Sequence, residues 1–194
     1  DEGTYIEPTE ETVGSYLKTW LEDYAAPNVK RKTFDIYKTM VDKHLVPALG
    51  KIELAKLRPG QIKSLLAAKL KSGRADGKEG GLSNRTVNYI HMVLKLALRS
   101  AVEDELVRRN IAEGVTPPSI PKPQIKYWNR DAVKAFLAYL RENRHRLYVL
   151  YLLALTTGMR KSEILGLRWG DINEKKSCLT IRQTIVHTSK GPLI

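Results

Sequence analysis

Thr156-Thr157-Gly158-Met159-Arg160-Lys161-Ser162-Glu163-Ile164-Leu165-Gly166-Leu167-Arg168-Trp169-Gly170-Asp171-Ile172 is the stretch whose reading decides the fold. The apolar run before it, Leu147 to Leu155, predicts a buried helix. That helix should stop at Gly158, because glycine enters the left-handed conformation that ends helices without a Cβ penalty. A short helical turn should follow, with Ile164, Leu165 and Leu167 as its apolar residues. Arg160 falls at the junction, where backbone on both sides fixes its position. A guanidinium there presents a planar fork of donors suited to a phosphate or a carboxylate. Glu163, three residues on, shares the helical face and can orient that fork. The same spacing also suits a purely structural Arg–Glu pair at a helix corner.

Upstream, the chain reads as helices. Thr12 can cap the first, whose apolar stripe is Val13, Leu17, Trp20, Leu21 and Tyr24, and Pro27-Asn28 ends it. The second enters through Val29-Lys30-Arg31-Lys32-Thr33 and runs out at His44-Leu45-Val46-Pro47, with Phe34, Tyr37, Met40, Val41 and Leu45 on its apolar side. Lys30, Arg31, Lys32, Thr33 and Lys38 lie at its start or on its polar side. A basic helix N-terminus suits phosphate, though a solvated charge run has the same pattern. The third begins near Pro59, with Ile62, Leu65, Leu66 and Leu70 as its buried side. The Gly-rich, charged segment from Ser72 to Gly81 reads as a mobile loop.

Ser83 caps a fourth helix with Val87, Ile90, Leu94, Ala97, Leu98 and Ala101 at helical spacing. Asn84, Arg85, Asn88, Tyr89 and Lys95 occupy its other faces. Amides and guanidinium groups near a helix start are side chains able to read base edges. His91 reads as a packed or solvated helix residue, without an acidic or histidine partner at metal-ligand spacing. From Gly114 to Lys126, Pro117, Pro118, Pro121 and Pro123 give an extended strap carrying Lys122 and Lys126. The expected organisation is an acidic leader over 1–11, a helical bundle over 12–113, a Pro-rich linker over 114–127 and a second domain over 128–194. Past Ile172 the period falls to two: Leu179, Ile181 and Ile185 alternate with Thr180, Arg182 and Thr184, a strand pattern ending at the turn Ser189-Lys190-Gly191-Pro192.

Charge is the informative total. The formal net charge of the 194 residues is +12. Residues 1–28 hold seven acids and one base, which leaves 32 bases against 14 acids, or +18, on the rest. A field that positive attracts a polyanion and steers its encounter. Double-stranded nucleic acid is favoured over a membrane, because no basic helix with an exposed apolar face stands out and no apolar run approaches the ~20 residues of a membrane span. The single cysteine, Cys178, excludes an internal disulfide framework and a cysteine-based zinc site, and fits a cytoplasmic compartment.

The run T-G-M-R-x-x-E-I-L-x-L-x-W-x-D-I resembles the first catalytic-arginine motif of the tyrosine recombinases, the phage integrase family. The upstream helices, the P-A-L-G turn and the R-R-N at residues 108–110 resemble that family's core-DNA-binding domain, so the resemblance covers most of residues 10–194. It implies a mainly α fold: a four-helix SAM-like core-DNA-binding bundle, a Pro-rich linker and the truncated start of an α+β catalytic domain with a small strand hairpin. It also implies that the second and fourth helices face the DNA major groove and that the linker crosses the duplex. Such enzymes cut one strand by tyrosine attack on a phosphodiester, forming a covalent phosphotyrosine, and need no metal or nucleotide cofactor. Arginines aimed at the phosphate oxygens stabilise the charge that develops.

By the resemblance, Arg160 contacts the scissile phosphate, Glu163 buttresses it, and Lys190 stands for the general-acid lysine. The residues by themselves leave Lys190 open as an ordinary turn lysine. No tyrosine follows Arg160, and the only later histidine, His187, is not followed by arginine at the third position. The chain is therefore expected to be inactive alone, as a piece of a larger recombinase that works as a homo-oligomer on DNA. The alternatives are a regulatory DNA-binding helical protein without an enzymatic parent, or an adaptor for an acidic protein.

Overall fold

The computed structural model describes residues 10–74, 79–188 and 191–193. The chain divides into two compact units, Asp1–Pro121 and Lys122–Ile194. Among its described residues the first holds four long helices and a 3-10 turn at Leu54–Lys56. Helix α1 runs over Val13–Thr19, widens to π geometry over Trp20–Ala25 and closes with Ala26–Asn28. Helix α2 repeats the pattern with Arg31–Met40, a π turn at Val41–Leu45 and a last turn at Val46–Leu49. Helices α3 (Pro59–Lys71) and α4 (Asn84–Glu103) complete the bundle.

Both π turns have one cause. Each ends one residue short of a proline, Pro27 or Pro47, and a proline inside a helix lacks its N–H and presses its ring on the carbonyl four residues back. Widening the turn removes the clash: the Ala26 N–H donates to Leu21 and the Val46 N–H to Val41, each five residues back. The second helix therefore does not run out at His44–Pro47 as expected but continues to Leu49. The stop was misread because a proline ends a regular helix, whereas a π turn absorbs it.

The core is the apolar stripe of each helix turned inward. Leu17, Leu45, Ile62, Ile90, Leu94 and Leu98 are almost wholly buried. Trp20 organises the α1–α2–α4 junction. Its ring stacks on Tyr37 at 5.9 Å and on Tyr24 at 6.0 Å, and its indole N–H donates to Ser100 Oγ at 3.2 Å. The Tyr16 hydroxyl donates to the Ala97 carbonyl at 2.9 Å. Two expected core residues lie at the rim: Tyr24 and Leu70 are exposed.

The start of α1 is tied down from outside the helix. Thr12 accepts from the Ser15 N–H at 3.2 Å. The Val13 and Gly14 N–H groups donate to the carbonyls of Ile52 and Gly50, and the Leu54 N–H returns a bond to Glu11. Donors that a helix start leaves orphaned are thus satisfied by the turn after α2. The approach is close: a Cβ on Gly14 would lie 2.9 Å from the Gly50 carbonyl oxygen.

The second unit holds α5 (Arg130–Glu142), α6 (Tyr148–Thr157) and α7 (Lys161–Gly166). Two short antiparallel pairs follow, β1 (Ile172–Asn173) with β2 (Cys178–Leu179), and β3 (Val186–Thr188) with β4 (Gly191–Leu193). Asn129 caps α5 by accepting from the Ala132 N–H. Phe136 sits edge-on between Trp128 at 5.0 Å and Tyr151 at 5.3 Å. Helix α6 corrects an expectation: apolar on every side, it has no buried residue, and Val149 is 62% exposed. The continuous strand expected over 179–185 is also absent. Beyond β2, residues 180–185 pair with no strand and instead lie against α7 and its flank. The Ile185 N–H donates to Ser162, the Thr180 N–H to Asp171, and the Gln183 amide to Gly166.

Gly14→Ala should lower stability by roughly 1–3 kcal/mol, since the new methyl meets backbone rather than a flexible side chain. The reading is a reduced urea midpoint at unchanged slope. An unchanged midpoint would mean that the Gly50 turn yields freely.

Candidate functional site

The arginine corner is built by three residues of different habit, Gly158, Arg160 and Glu163. Gly158 takes the left-handed conformation at φ 69° and ends α6. Arg160 then returns to extended backbone as the residue that starts α7. Glu163, in the first turn, holds it twice: one carboxylate oxygen accepts the Arg160 backbone N–H at 2.7 Å and the other accepts Nη1 at 3.0 Å. The carboxylate is 13% exposed and the guanidinium 83%. So the acid is sheltered and half of the pair is presented to solvent, with donors on Arg160 to spare. These two Arg160 bonds, the backbone one first, hold the Glu163 carboxyl below its usual range.

Asp171 repeats the device and was not singled out from sequence. Its carboxylate, almost wholly buried, accepts the Arg168 N–H at 3.1 Å and lies 3.3 Å from Arg182 Nε in an ion pair. Arg182 is thereby attached beside α7 while 70% exposed. It was missed because a period-two pattern made it an outward strand residue. Lys190 lies outside the described residues.

The residues expected to meet nucleic acid fall into separate groups. Lys30, Arg31, Lys32 and Lys38 are exposed on α2 and Thr33 is half-buried. Arg31 lies 3.3 Å from Asp35 and 5.6 Å from the centre of the Phe34 ring, and Lys38 lies 2.9 Å from Asp42. Helices α2 and α4 pack together in opposite directions. Trp20 links Tyr37 to Ser100 at one end. At the other, Thr39, Lys43 and His44 line an open cavity of about 530 Å³ with Ser83, Thr86 and Arg74. The start of α2 and the start of α4 are therefore not brought together. Lys43, beside the start of α4, was overlooked because the helix was expected to be ending there. Burial, then Lys69 and Lys43, lowers the His44 pKa.

On α4 the candidates divide by face. Arg85 and Tyr89 are exposed. Asn84, Asn88 and Lys95 lie along the chain segment that returns after the helix. Asn84 donates to the Ser119 carbonyl and Asn88 to the Pro118 carbonyl, both at 2.6 Å. Lys95 accepts at its carbonyl from Asn110 and lies 3.8 Å from Glu113. Lys122 and Lys126, in the second unit, are exposed. No group of His, Cys, Asp and Glu able to hold a metal occurs among the described residues. Nor is any described helix long and apolar enough to cross a membrane.

A SAM-like helical bundle followed by a glycine-terminated arginine corner defines the class: an integrase-type fold. Residues 12–70 match the phage integrase N-terminal SAM-like domain and residues 126–191 match the phage integrase family. An integrase of Saccharopolyspora erythraea is 27% identical over 188 residues, 93% of this chain and 41% of that protein. The Tn1549 transposon integrase in complex with transposon right end DNA superposes with a TM-score of 0.75 at 19% identity, over 93% of this chain and 56% of that one. A lambda integrase dimer bound to a COC′ core site gives 0.68 at 20% identity, over 92% and 46%. The chain belongs to the phage integrase family, the tyrosine recombinases. It spans between 41% and 46% of the length of the curated relatives it first matches.

The Glu163 titration tests the corner. With its folded pKa depressed, the pair contributes stability that is fully present above the unfolded carboxylate value and is lost as pH falls through the folded one. A carbon-detected NMR titration should place the Glu163 midpoint below those of the exposed glutamates. A midpoint at or above theirs would contradict the double bond to Arg160.

Proposed function

We propose that this chain is the DNA-gripping and first phosphate-binding part of a site-specific tyrosine recombinase that acts in DNA integration and recombination. The observation that carries this reading is Arg160, held from two sides by Glu163 and left open to solvent immediately after Gly158. During tyrosine attack the pentavalent phosphorus gains negative charge on its non-bridging oxygens. A guanidinium already oriented by a carboxylate can receive that charge without reorganising. Glu163 keeps the fork aimed; its own charge is sheltered by the backbone N–H it accepts. The nucleophilic tyrosine comes from outside this chain.

Duplex DNA is the partner. Lys30, Arg31, Lys32, Thr33 and Lys38 meet the phosphate backbone along α2, Arg85 and Tyr89 approach from α4, and Lys122 and Lys126 reach the duplex from the linker. Lys190 is the proposed general acid. The bound DNA in the transposon integrase structure and the dimer on DNA in the lambda one support a homo-oligomer on DNA. A mobile genetic element as the source and the cytoplasm as the compartment complete the reading. No metal or nucleotide cofactor enters, because the phosphotyrosine conserves the energy of the broken bond.

Mobility shift at two salt concentrations is the test. Affinity for duplex should fall by about a thousandfold or more between 50 and 200 mM salt if several phosphates are contacted. Arg31→Ala and Arg85→Ala should each weaken binding and lower the salt slope by about 1. If neither changes affinity, α2 and α4 do not face DNA. Arg160→Ala should leave binding by this chain nearly intact and abolish strand cleavage in a recombinase that carries the nucleophile. Surviving cleavage would remove Arg160 from the chemistry.

A further inference from the structure

Helix α4 carries a polar stripe that meets the chain's own returning segment. Asn84, Asn88, His91 and Lys95 recur at intervals of four, three and four residues, which places them in one row along the helix. Each meets the returning segment in reverse order. The Lys95 carbonyl accepts from Asn110, and His91 Nε2 lies 2.9 Å from the Ala112 carbonyl. The Asn88 amide reaches Pro118 and the Asn84 amide reaches Ser119. Residues 110–119 therefore run antiparallel along α4. Their inner end is sealed by burial of Ala112 and Val115. Their outer end, where Pro117 and Pro118 are half-buried, is hydrogen-bonded by the two amides.

Asn88 has no side-chain donor left for a base. The Asn88 side-chain nitrogen bonds both the Asn84 carbonyl at 2.9 Å and the Pro118 carbonyl at 2.6 Å, so both of its donors are taken. Prolines 117, 118 and 121 cannot donate through their own nitrogens, and the strap carbonyls of Pro118 and Ser119 are the groups that bond the helix amides. Only a donor can serve those carbonyls, and Asn84 and Asn88 are the donors at hand.

We propose that Asn84 and Asn88 are positioning residues that clamp Pro118-Ser119 to α4 and thereby set where the tether between the two units begins. With the clamp closed, the tether is Ile120 to Trp128, nine residues before the Asn129 cap. With it open, the tether begins after buried Val115 and has 13 residues, Thr116 to Trp128. Effective concentration of one unit at the other's target falls roughly as the −3/2 power of tether length, which is about twofold here. The loss should be equal on every DNA sequence, because no base contact is removed.

The binding arm rests on the reading of the chain as a DNA-gripping one; the dynamics arm does not. Asparagine to aspartate keeps the shape but replaces the donor with a charge that repels a carbonyl. In Asn84→Asp/Asn88→Asp, backbone order parameters of Thr116, Ser119 and Ile120 should fall from near 0.85 to below about 0.6, while Val87 and Val93 stay rigid. Unchanged order at those three residues would overturn the clamp. Should the double variant fail to fold, Asn84→Ala gives the same reading at Ser119. On DNA, the folded variant should lose about twofold affinity or more for specific and unrelated duplexes alike. Loss confined to one sequence would mean that the amides read bases, which overturns the proposal. If the wild-type chain ignores DNA altogether, the order parameters alone decide, and it is the DNA reading that falls.

Discussion

The reciprocal hold of Glu163 on Arg160 is the interaction on which the functional account turns. An arginine side chain is long and has many rotamers, and fixing one in water is costly. Here the main cost is met by geometry. Gly158 turns the chain, Arg160 starts a helix, and the first-turn acid reaches back to both the N–H and the guanidinium. Remove the carboxylate and the backbone N–H at the start of α7 loses its acceptor while the fork loses its aim. The segment 180–185 then matters for the same reason. By giving N–H groups to Ser162 and Asp171 and an amide to Gly166, it braces α7 and its flank from the side.

A related economy runs through the first unit, where backbone groups exposed by one element are satisfied by another. The turn at Gly50–Ile52 caps the start of α1, and the strap after α4 is served by side-chain amides on that helix. The prolines at 27 and 47, which would break a regular helix, are accommodated by π turns whose donors reach one residue further back. Strain that would otherwise end each helix is absorbed within a single turn, and both helices keep their apolar stripes on the core.

Much of this was legible in the sequence for identifiable reasons. Thr12 and Ser83 cap helices because short polar side chains compete well for orphaned N–H groups, and Gly158 ends one because glycine enters the left-handed region without penalty. The helix periodicity of α1 and α4 pointed directly at the core. What failed were readings that used one signal where two effects compete. A proline marked a stop that the π turn cancelled. An alternating pattern at 179–185 marked a strand, but the backbone donors there found partners on α7 and its flank. Apolar character marked α6 as buried, yet burial depends on what lies beside a helix, and composition does not report that. At the candidate interface, residue type singled out Asn84 and Asn88 but could not say that the strap would reach them first. Asp171 and Arg182 were invisible as a pair because they are 11 residues apart, one in the arginine motif and the other in a segment read as regular strand.

The most direct measurement of the central claim is the side-chain nitrogen spectrum of Arg160 as duplex DNA is added at low ionic strength. The account predicts that its guanidinium signal moves on binding, returns when salt is raised, and does so with Glu163 still ionised. A guanidinium signal that stays in place at saturating duplex, while the α2 and α4 signals move, would leave Arg160 a structural corner and contradict the account.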